Sequence, residues 1–257
     1  MTDDHALARD LAGQAGARLL NRRAQGGDPD VLRKAGDRLS HDFLTAELAA
    51  RRPCDVVLSE EGADNPARLG AGRVWIVDPL DGTREFGEPG RTDWAVHVAL
   101  WERSAGPAGD VTAGAVALPA QGTVLSTAEP PPAVEPAGAP GRIRIVVSRS
   151  RPPGFVRNIP GLIDAELVPL GSAGAKVAAV INGEVDAYVH GGGFYEWDTA
   201  APVAVARAAG LHTSRIDGSA LAYNQPGLLM PDIVVCRPAL AGVLLQAIRE
   251  VTHASPS

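Results

Sequence analysis

The sequence predicts a layered α/β fold, in which helices pack on sheets that contain antiparallel strands. Three observations support this prediction. Apolar residues in the first fifty positions recur at helical spacing. Residues 92–127 hold three short apolar stretches that are typical of an antiparallel meander. The rest of the chain mixes helical and strand patterns, which indicates layered packing rather than a TIM barrel or a simple doubly wound sheet.

Two amphipathic helices are predicted at the start of the chain. Leucines that share one face place the first helix from Ala6 to about Arg23, and the second from near Asp37 to Arg51. Between them, residues 26–29 (Gly-Gly-Asp-Pro) interrupt the helical pattern. We therefore expect a helical layer before the first sheet.

Strands and further helices follow in two groups. In the first group, strands are expected at 55–59, 73–78, 92–101, 111–118 and 122–127. In the second group, we expect strands at 143–147, 185–190 and near 233–236, and helices at 172–182, 198–209 and 239–251.

A proline-rich segment separates the two groups of elements. Residues 129–141 hold five prolines and few apolar residues, so they predict a surface loop or a seam. We interpret the chain, residues 1–257, as a single domain. Its N-terminal α+β half covers residues 1–128, and its C-terminal α/β half covers residues 142–257.

Composition and charge narrow the classes of function. Of the 257 residues, 45% are hydrophobic, which is enough for a sizeable core. The balance of 24 basic and 30 acidic residues gives a net charge of -6, and this argues against non-specific nucleic-acid binding. No signal peptide or integral membrane segment is indicated, so we expect a cytoplasmic protein. Cys54 and Cys236 are expected to be buried free thiols, although one disulfide stays open as an alternative.

The most informative segment is a strand pattern, Val74–Val77, that ends in two acids. Asp78 and Asp81 flank a Pro-Leu step, and Gly82 and Thr83 follow. A buried strand that ends here presents two carboxylates beside exposed backbone N–H groups. Carboxylates bind hard divalent cations, and successive N–H groups bind phosphate. The segment therefore predicts a magnesium site that faces a phosphate site.

Further acids sit at the edges of other predicted elements. Glu60 and Glu61 end an apolar run, and Asp198 opens an alanine-rich helix. Taken alone, the glutamates are typical of a solvated turn and Asp198 of a helix N-cap. Taken with Asp78 and Asp81, they would repel one another unless cations bridged them. Two or three Mg²⁺ ions would meet that demand.

Three motifs carry a resemblance to a known family. Residues 60–61 (Glu-Glu), 78–83 (Asp-Pro-Leu-Asp-Gly-Thr) and 197–201 (Trp-Asp-Thr-Ala-Ala) resemble, in order, the signatures of the inositol monophosphatase-like, lithium-sensitive phosphatases. Residues 84–86 (Arg-Glu-Phe) resemble the CysQ branch, the 3′(2′),5′-bisphosphate nucleotidases, and the chain is most similar to the actinobacterial members. The resemblance implies an αβαβα sandwich of the inositol monophosphatase and fructose-1,6-bisphosphatase type.

The resemblance also implies roles for individual residues. Thr83, backed by Asp37, would orient and deprotonate the attacking water, and the N–H groups of Gly82 and Thr83 would hold the scissile phosphate. The implied metal ligands are Glu60, Asp78, the carbonyl of Leu80, Asp81 and Asp198. The implied substrate-binding residues are Glu60, Leu80, Asp81, Gly82, Thr83, Ser148, Arg151, Gly174, Lys176 and Asp198.

Arg151 and Pro79 bear on the substrate contact and on the nucleophile that the resemblance implies. Arg151 stands where the nucleotidases often have a histidine. It either pairs with the non-scissile 5′-phosphate or is a solvated loop charge, and both alternatives stay open. Pro79 stands two residues before Asp81, which excludes the Asp-x-Asp motif of phosphatases that use an aspartate nucleophile. Water is therefore the expected nucleophile.

The function implied is Mg²⁺-dependent hydrolysis of the 3′-phosphate of 3′-phosphoadenosine 5′-phosphate (PAP), in sulfate assimilation. The sulfated analogue, 3′-phosphoadenosine 5′-phosphosulfate (PAPS), is a further candidate substrate, and Li⁺ is an expected inhibitor. The alternative is a phosphatase that acts on inositol 1-phosphate or fructose 1,6-bisphosphate. A more remote alternative is a non-catalytic sensor of nucleotide phosphates. A homodimer is left open.

Overall fold

The structure is a computed structural model, which describes residues 3–132 and 141–253. Most of the proline-rich segment, for which we predicted a loop or a seam, lies outside the described residues. The elements form two five-stranded sheets and a small two-stranded one, with helices layered against the two large sheets.

Two long helices open the fold, and the second begins earlier than predicted. Helix α1 covers Asp4–Ala24 and helix α2 covers Pro29–Arg51. The expected start of α2 near Asp37 was therefore wrong. Asp28 accepts hydrogen bonds from two N–H groups of the first turn, and Pro29 occupies the first helical position. The Asp-Pro pair thus begins a helix as well as ending the break before it.

The first sheet has the order β1-β2-β3-β4-β5. Strands β1 and β2 are parallel, whereas β2 to β5 are antiparallel neighbours. This confirms the predicted meander. The strands, with the short helix α3 that follows β2, are β1 (Val56–Ser59), β2 (Arg73–Asp81), α3 (Thr83–Gly87), β3 (Ala95–Glu102), β4 (Asp110–Leu118) and β5 (Thr123–Ser126).

The second half of the chain forms the second sheet, in the order β10-β12-β8-β6-β7. Every predicted element of this half is present, and β7, β9, β10 and β11 are additional. In chain order the elements are β6 (Ile143–Ser148), β7 (Ala165–Leu170), α4 (Ala173–Ile181), β8 (Ala187–His190), β9 (Phe194–Tyr195), α5 (Glu196–Ala208), β10 (His212–Ser214), β11 (Leu229–Met230), β12 (Ile233–Cys236) and α6 (Pro238–His253).

Three hydrophobic clusters define the layers. One joins α1 and α2 to the outer face of the first sheet. A second joins the inner face of that sheet to α4 and α5, and these helices to the second sheet. A third joins the far face of the second sheet to α6. The order is helices, sheet, helices, sheet, helix, which confirms the expected αβαβα sandwich.

Two smaller expectations concern thiols and membranes. Cys54 and Cys236 are both free, but Cys54 is exposed rather than buried as predicted, because it follows α2 in a surface turn. Cys236 is buried in β12. Within residues 3–132 and 141–253, no helix is long and apolar enough to cross a membrane.

Candidate active site

A bulge at the end of β2 brings two acids to one face of the first sheet. Strand β2 continues three residues past its predicted end, to Asp81. Asp78 pairs with His97 of β3, and Asp81 with Ala95, so β2 carries one extra residue between them. Residues three apart on a regular strand would point to opposite faces, and the extra residue cancels that alternation. Asp78 and Asp81 therefore project together.

Asp198 completes an acidic cluster with these two residues. It lies in the first turn of α5, where its carboxylate accepts a hydrogen bond of 2.6 Å from the N–H of Tyr195. One oxygen from each of Asp78, Asp81 and Asp198 lies within 4.8 Å of the others. Three carboxylates at this separation form a cluster of hard oxygen donors.

Glu60 adds a fourth carboxyl group. Because β1 and β2 run parallel, the residue after β1 lies at the same edge as Asp78, and the N–H of Glu60 contacts the carbonyl of Val77 at 3.4 Å. Much of the Glu60 side chain is exposed, yet its carboxyl is close enough to Asp78 to share a hydrogen bond with it. Burial, together with the charge of Asp198, raises the pKa of Glu60 to about 7.

The pKa values of the clustered acids show how strongly the carboxylates repel one another. Burial raises the pKa of Asp198 to about 6, and burial with the charge of Glu60 raises the pKa of Asp78 well above its usual range. The carboxylates therefore resist being ionised together in this arrangement. Divalent cations would remove that repulsion, and all-oxygen ligand sets suit Mg²⁺. The residues present therefore fit Mg²⁺ ions.

The predicted pair Thr83 and Asp37 lies beside the cluster. The Thr83 hydroxyl lies 2.9 Å from the Leu80 carbonyl and 3.3 Å from Asp37 Oδ1. Burial, with the charge of Glu61, raises the pKa of Asp37 to about 7. Thr83 and Asp37, the two residues that we predicted to orient and deprotonate the water, therefore lie next to each other, and the Leu80 carbonyl lies beside them.

Close packing of α2 on β2 makes this approach possible. A Cβ atom at Gly36 would lie 2.8 Å from the Phe86 ring and 3.0 Å from the Leu80 side chain. Only glycine lets the helix come this near to the strand, so Gly36 fixes the distance from Asp37 to Thr83.

The N-terminus of α4 holds Asp81 in place. Oδ2 of Asp81 accepts a hydrogen bond of 2.5 Å from the Ser172 hydroxyl and one of 2.7 Å from the N–H of Gly174. Burial alone would raise the pKa of Asp81, but His97, Lys176 and Ser172 together hold it below its usual value. Gly174 was predicted to bind substrate, and in the structure its N–H is bound to Asp81.

A cavity of about 260 Å³ opens beside the acids. Seven of the twelve predicted site residues line it, whereas Asp37, Glu60, Asp78, Leu80 and Gly174 do not. The predicted residues that line it are Asp81, Gly82, Thr83, Ser148, Arg151, Lys176 and Asp198. Arg84 also lines the cavity; in the sequence it indicated the CysQ branch, but we did not assign it to the site. Tyr188, His190 and Phe194, which we did not single out from the sequence, line it as well.

Cations lie around the cavity. Lys176 is buried, and its Nζ donates to the carbonyls of Gly171 and Ser172 at 3.2 and 2.6 Å. Arg84 and Arg151 are exposed, and neither forms an ion pair with a carboxylate of the described residues. By contrast Arg149, which does not line the cavity, is paired with Glu85 and Glu88. Arg84 and Arg151 are therefore available to a ligand.

His190 closes the cavity at the end of β8. Its Nδ1 is buried and has no hydrogen-bond partner among the described residues. Burial, with the charges of Lys176 and Arg151, lowers the pKa of His190 to about 4, so the imidazole is neutral at pH 7. In the sequence, the placement of His190 in the site is indicated only by its alternation with Tyr188 on β8, which is weak evidence.

Comparisons with known proteins identify the family of this chain. A sequence model described as the inositol monophosphatase family matches residues 6–253. A Mycobacterium leprae protein named 3′-phosphoadenosine 5′-phosphate phosphatase is 52% identical over 255 residues, which cover 96% of this chain and 94% of that protein.

Solved structures show the same fold. CysQ from Bacteroides thetaiotaomicron, a bacterial member of the inositol monophosphatase family, has a TM-score of 0.78 and 27% identity, and covers 91% of this chain and 97% of its own. Inositol monophosphatase II from Staphylococcus aureus has a TM-score of 0.81 and 20% identity, and the match covers 97% of this chain and 96% of that protein. The second likeness supports the fold alone.

Proposed function

Because this chain belongs to the inositol monophosphatase family, we propose that it is a Mg²⁺-dependent phosphatase that converts PAP to AMP and phosphate. The observation that carries the proposal is one cavity whose lining combines two chemically different kinds of group, carboxylates and guanidinium groups. The lining includes the carboxylates of Asp81 and Asp198 and the guanidinium groups of Arg84 and Arg151, which form no ion pair with a carboxylate of the described residues. A substrate with two phosphates matches both.

The acidic cluster suits the phosphate that is removed. The proposed Mg²⁺ ligands are Glu60, Asp78, Asp81, Asp198 and the carbonyl of Leu80. Bound Mg²⁺, in two or three ions, would supply Lewis acidity that activates water and offsets charge on the leaving oxygen. The N–H groups of Gly82 and Thr83 would hold the phosphate.

Thr83 and Asp37 would orient the attacking water. A hydroxyl hydrogen can be donated to one acceptor at a time, so Thr83 donates either to the Leu80 carbonyl or to Asp37. A Thr83 hydroxyl that donates to Asp37 leaves its oxygen as an acceptor for a hydrogen of the water. Asp37 would then take up the proton through Thr83.

The cationic side chains that line the cavity suit the second phosphate. The guanidinium group of Arg151 matches phosphate geometry. Ser148, Lys176 and His190 line the same cavity, and His190 Nδ1 has no hydrogen-bond partner in the part of the chain that the structure describes. This set supports a nucleotide bisphosphate over a monophosphate. We include PAPS as a second substrate, sulfate assimilation in the cytoplasm as the setting, and Li⁺ as an inhibitor that competes for a Mg²⁺ position.

Specificity constants test the proposal. The purified protein with Mg²⁺ is given PAP, PAPS, inositol 1-phosphate and fructose 1,6-bisphosphate, and phosphate release is measured. We expect kcat/KM to be highest for PAP, and D81N to abolish turnover on every substrate because it weakens a metal ligand. A higher value for inositol 1-phosphate or fructose 1,6-bisphosphate would overturn the nucleotide assignment. Binding of PAP without turnover would point instead to a sensor.

A further inference from the structure

His97 is a fully buried histidine on the inner face of β3, directly opposite Asp78 in the pairing with β2. Its Nδ1 lies 3.2 Å from the carbonyl of Trp197, the residue before Asp198. Its Nε2 lies 3.3 Å from Oδ2 of Asp81. One imidazole ring therefore touches both segments that carry the acidic cluster.

The contacts of Asp81 are unevenly distributed between its two oxygens. Ser172 Oγ, the N–H of Gly174 and His97 Nε2 all approach Oδ2, at 2.5, 2.7 and 3.3 Å. The hydrogen bonds from Ser172 and Gly174 fix the rotation of the carboxylate and leave Oδ1 for a cation, and His97 Nε2 is a third neighbour of Oδ2, in contact with it but without hydrogen-bond geometry. Partners of this kind orient metal ligands and set their affinity.

Gly174 leaves the space that the ring occupies. A Cβ atom at position 174 would lie 2.1 Å from His97 Nε2 and 3.1 Å from the Cβ of Ala95. Any side chain there would displace the imidazole, because the ring is packed on every side and cannot swing to solvent. His97 and Gly174 are therefore sterically matched.

We propose that His97 is a positioning residue, which holds Asp81 and the Trp197–Asp198 segment in the geometry that binds the metal, in a space that Gly174 provides. This inference rests on the proposed metal-dependent function. The Trp197 carbonyl and the Asp81 carboxylate can both only accept hydrogen bonds, so the ring holds both of them only with a hydrogen on each of Nδ1 and Nε2. The ring then links α5 to β2 through β3.

Mn²⁺ binding without substrate tests this role. Mn²⁺ prefers oxygen ligands as Mg²⁺ does, and the loss of its free EPR signal reports binding independently of turnover. We expect H97L to weaken Mn²⁺ binding by about 10- to 100-fold. We expect H97Q, whose amide nitrogen can reach the place of Nε2, to retain more affinity than H97N, which can replace only Nδ1.

A control variant on the same strand distinguishes a loss of metal-ligand positioning from a general loss of stability. Val98 is buried on the opposite face of β3, against α1. V98A should lower the melting temperature without changing Mn²⁺ affinity. If wild type binds Mn²⁺ and H97L binds it equally well, the inference is wrong. If wild type binds no Mn²⁺, the proposed function itself fails.

A second variant covers the case in which H97L does not fold. G174A should weaken Mn²⁺ binding in the wild-type background, because the new methyl group displaces the ring. In an H97S background, where the small side chain leaves room, G174A should have little effect. Equal losses in the two backgrounds would contradict the steric match.

Discussion

The Thr83 hydroxyl contacts both the Asp37 carboxyl, at 3.3 Å, and the Leu80 carbonyl, at 2.9 Å. If it orients the water, T83A should lower kcat on PAP by about 10²- to 10⁴-fold, the range of general acid–base effects. T83S keeps the hydroxyl and should retain most of the rate. Both are measured beside Mn²⁺ affinity, which should not change. Equal rates for T83A and T83S would mean that the Thr83 hydroxyl does not orient the attacking water.

Arg151 distinguishes the two phosphates of the proposed substrate. R151Q should lower kcat/KM for PAP by about tenfold or more, because it removes charged hydrogen bonds. It should not affect 3′-AMP, which has no 5′-phosphate. Arg142 offers a matched control, since it is exposed and paired with Asp164 at 2.9 Å, and R142Q should leave both substrates unchanged. Equal losses on the two substrates would mean that Arg151 does not bind the 5′-phosphate and is a solvated loop charge.

Single residues were the most predictable part of the site. Asp78, Asp81 and Asp198 could be selected from the sequence because each stands at the edge of an apolar run. The structure brings their oxygens within 4.8 Å. His97 could not be selected, because a lone histidine in a buried strand carries no spacing signal. Its role emerges only from contacts with residues far apart in sequence.

At the scale of elements, the start of α2 leads to a stability prediction. Asp28 accepts from the N–H groups of Asp30 and Val31 at 3.0 and 3.2 Å. D28A should therefore lower the free energy of unfolding by about 1 kcal/mol, whereas D28S, which keeps an N-cap acceptor, should cost less. Denaturant unfolding measures both. An unchanged free energy for D28A would mean that this cap does not stabilise the helix.

Element boundaries near the site were harder to predict than the elements. The bulge in β2 depends on pairing with β3, so the apolar pattern alone ended the strand at residue 78 instead of Asp81. Strand β7 was missed because its burial is incomplete and its apolar pattern is broken by Glu166 and Pro169. In both cases tertiary pairing outweighs the local pattern.

At the scale of the whole molecule, the site is assembled from both halves of the chain. Asp81 comes from the first sheet, Asp198 from α5, and the donors to Asp81 from α4. Motif order predicts which residues meet but not the shape of the cavity. Its wall of Tyr188, His190 and Phe194 depends on how the second sheet packs against α4 and α5. A metal held by these acids would tie the two halves together.

The same acids should make the stability of the metal-free protein depend on pH. Glu60, Asp37 and Asp198 have folded-state pKa values of about 7, 7 and 6, above the ordinary values near 4. At a pH between the ordinary pKa values and the folded-state pKa values, the folded protein binds more protons than the unfolded chain does. Their contribution to stability is therefore present at low pH and is lost as the pH rises through 6 to 7. Asp81, with its lowered pKa, acts with the opposite sign, and only at more acidic pH.

Mg²⁺ should reverse this loss, because it replaces the protons on the cluster. The melting temperature in EDTA should fall between pH 5.5 and 8, apart from effects of distant groups, and the rise on adding Mg²⁺ should grow over the same range. Calorimetric titration with Mg²⁺ at pH 6.5, in buffers of different ionisation enthalpy, should show net proton release. D198N removes one group with a raised pKa, so its slope with pH should be shallower and fewer protons should be released. A stabilisation by Mg²⁺ that is the same at pH 5.5 and pH 8 would mean that the metal does not bind at these carboxylates.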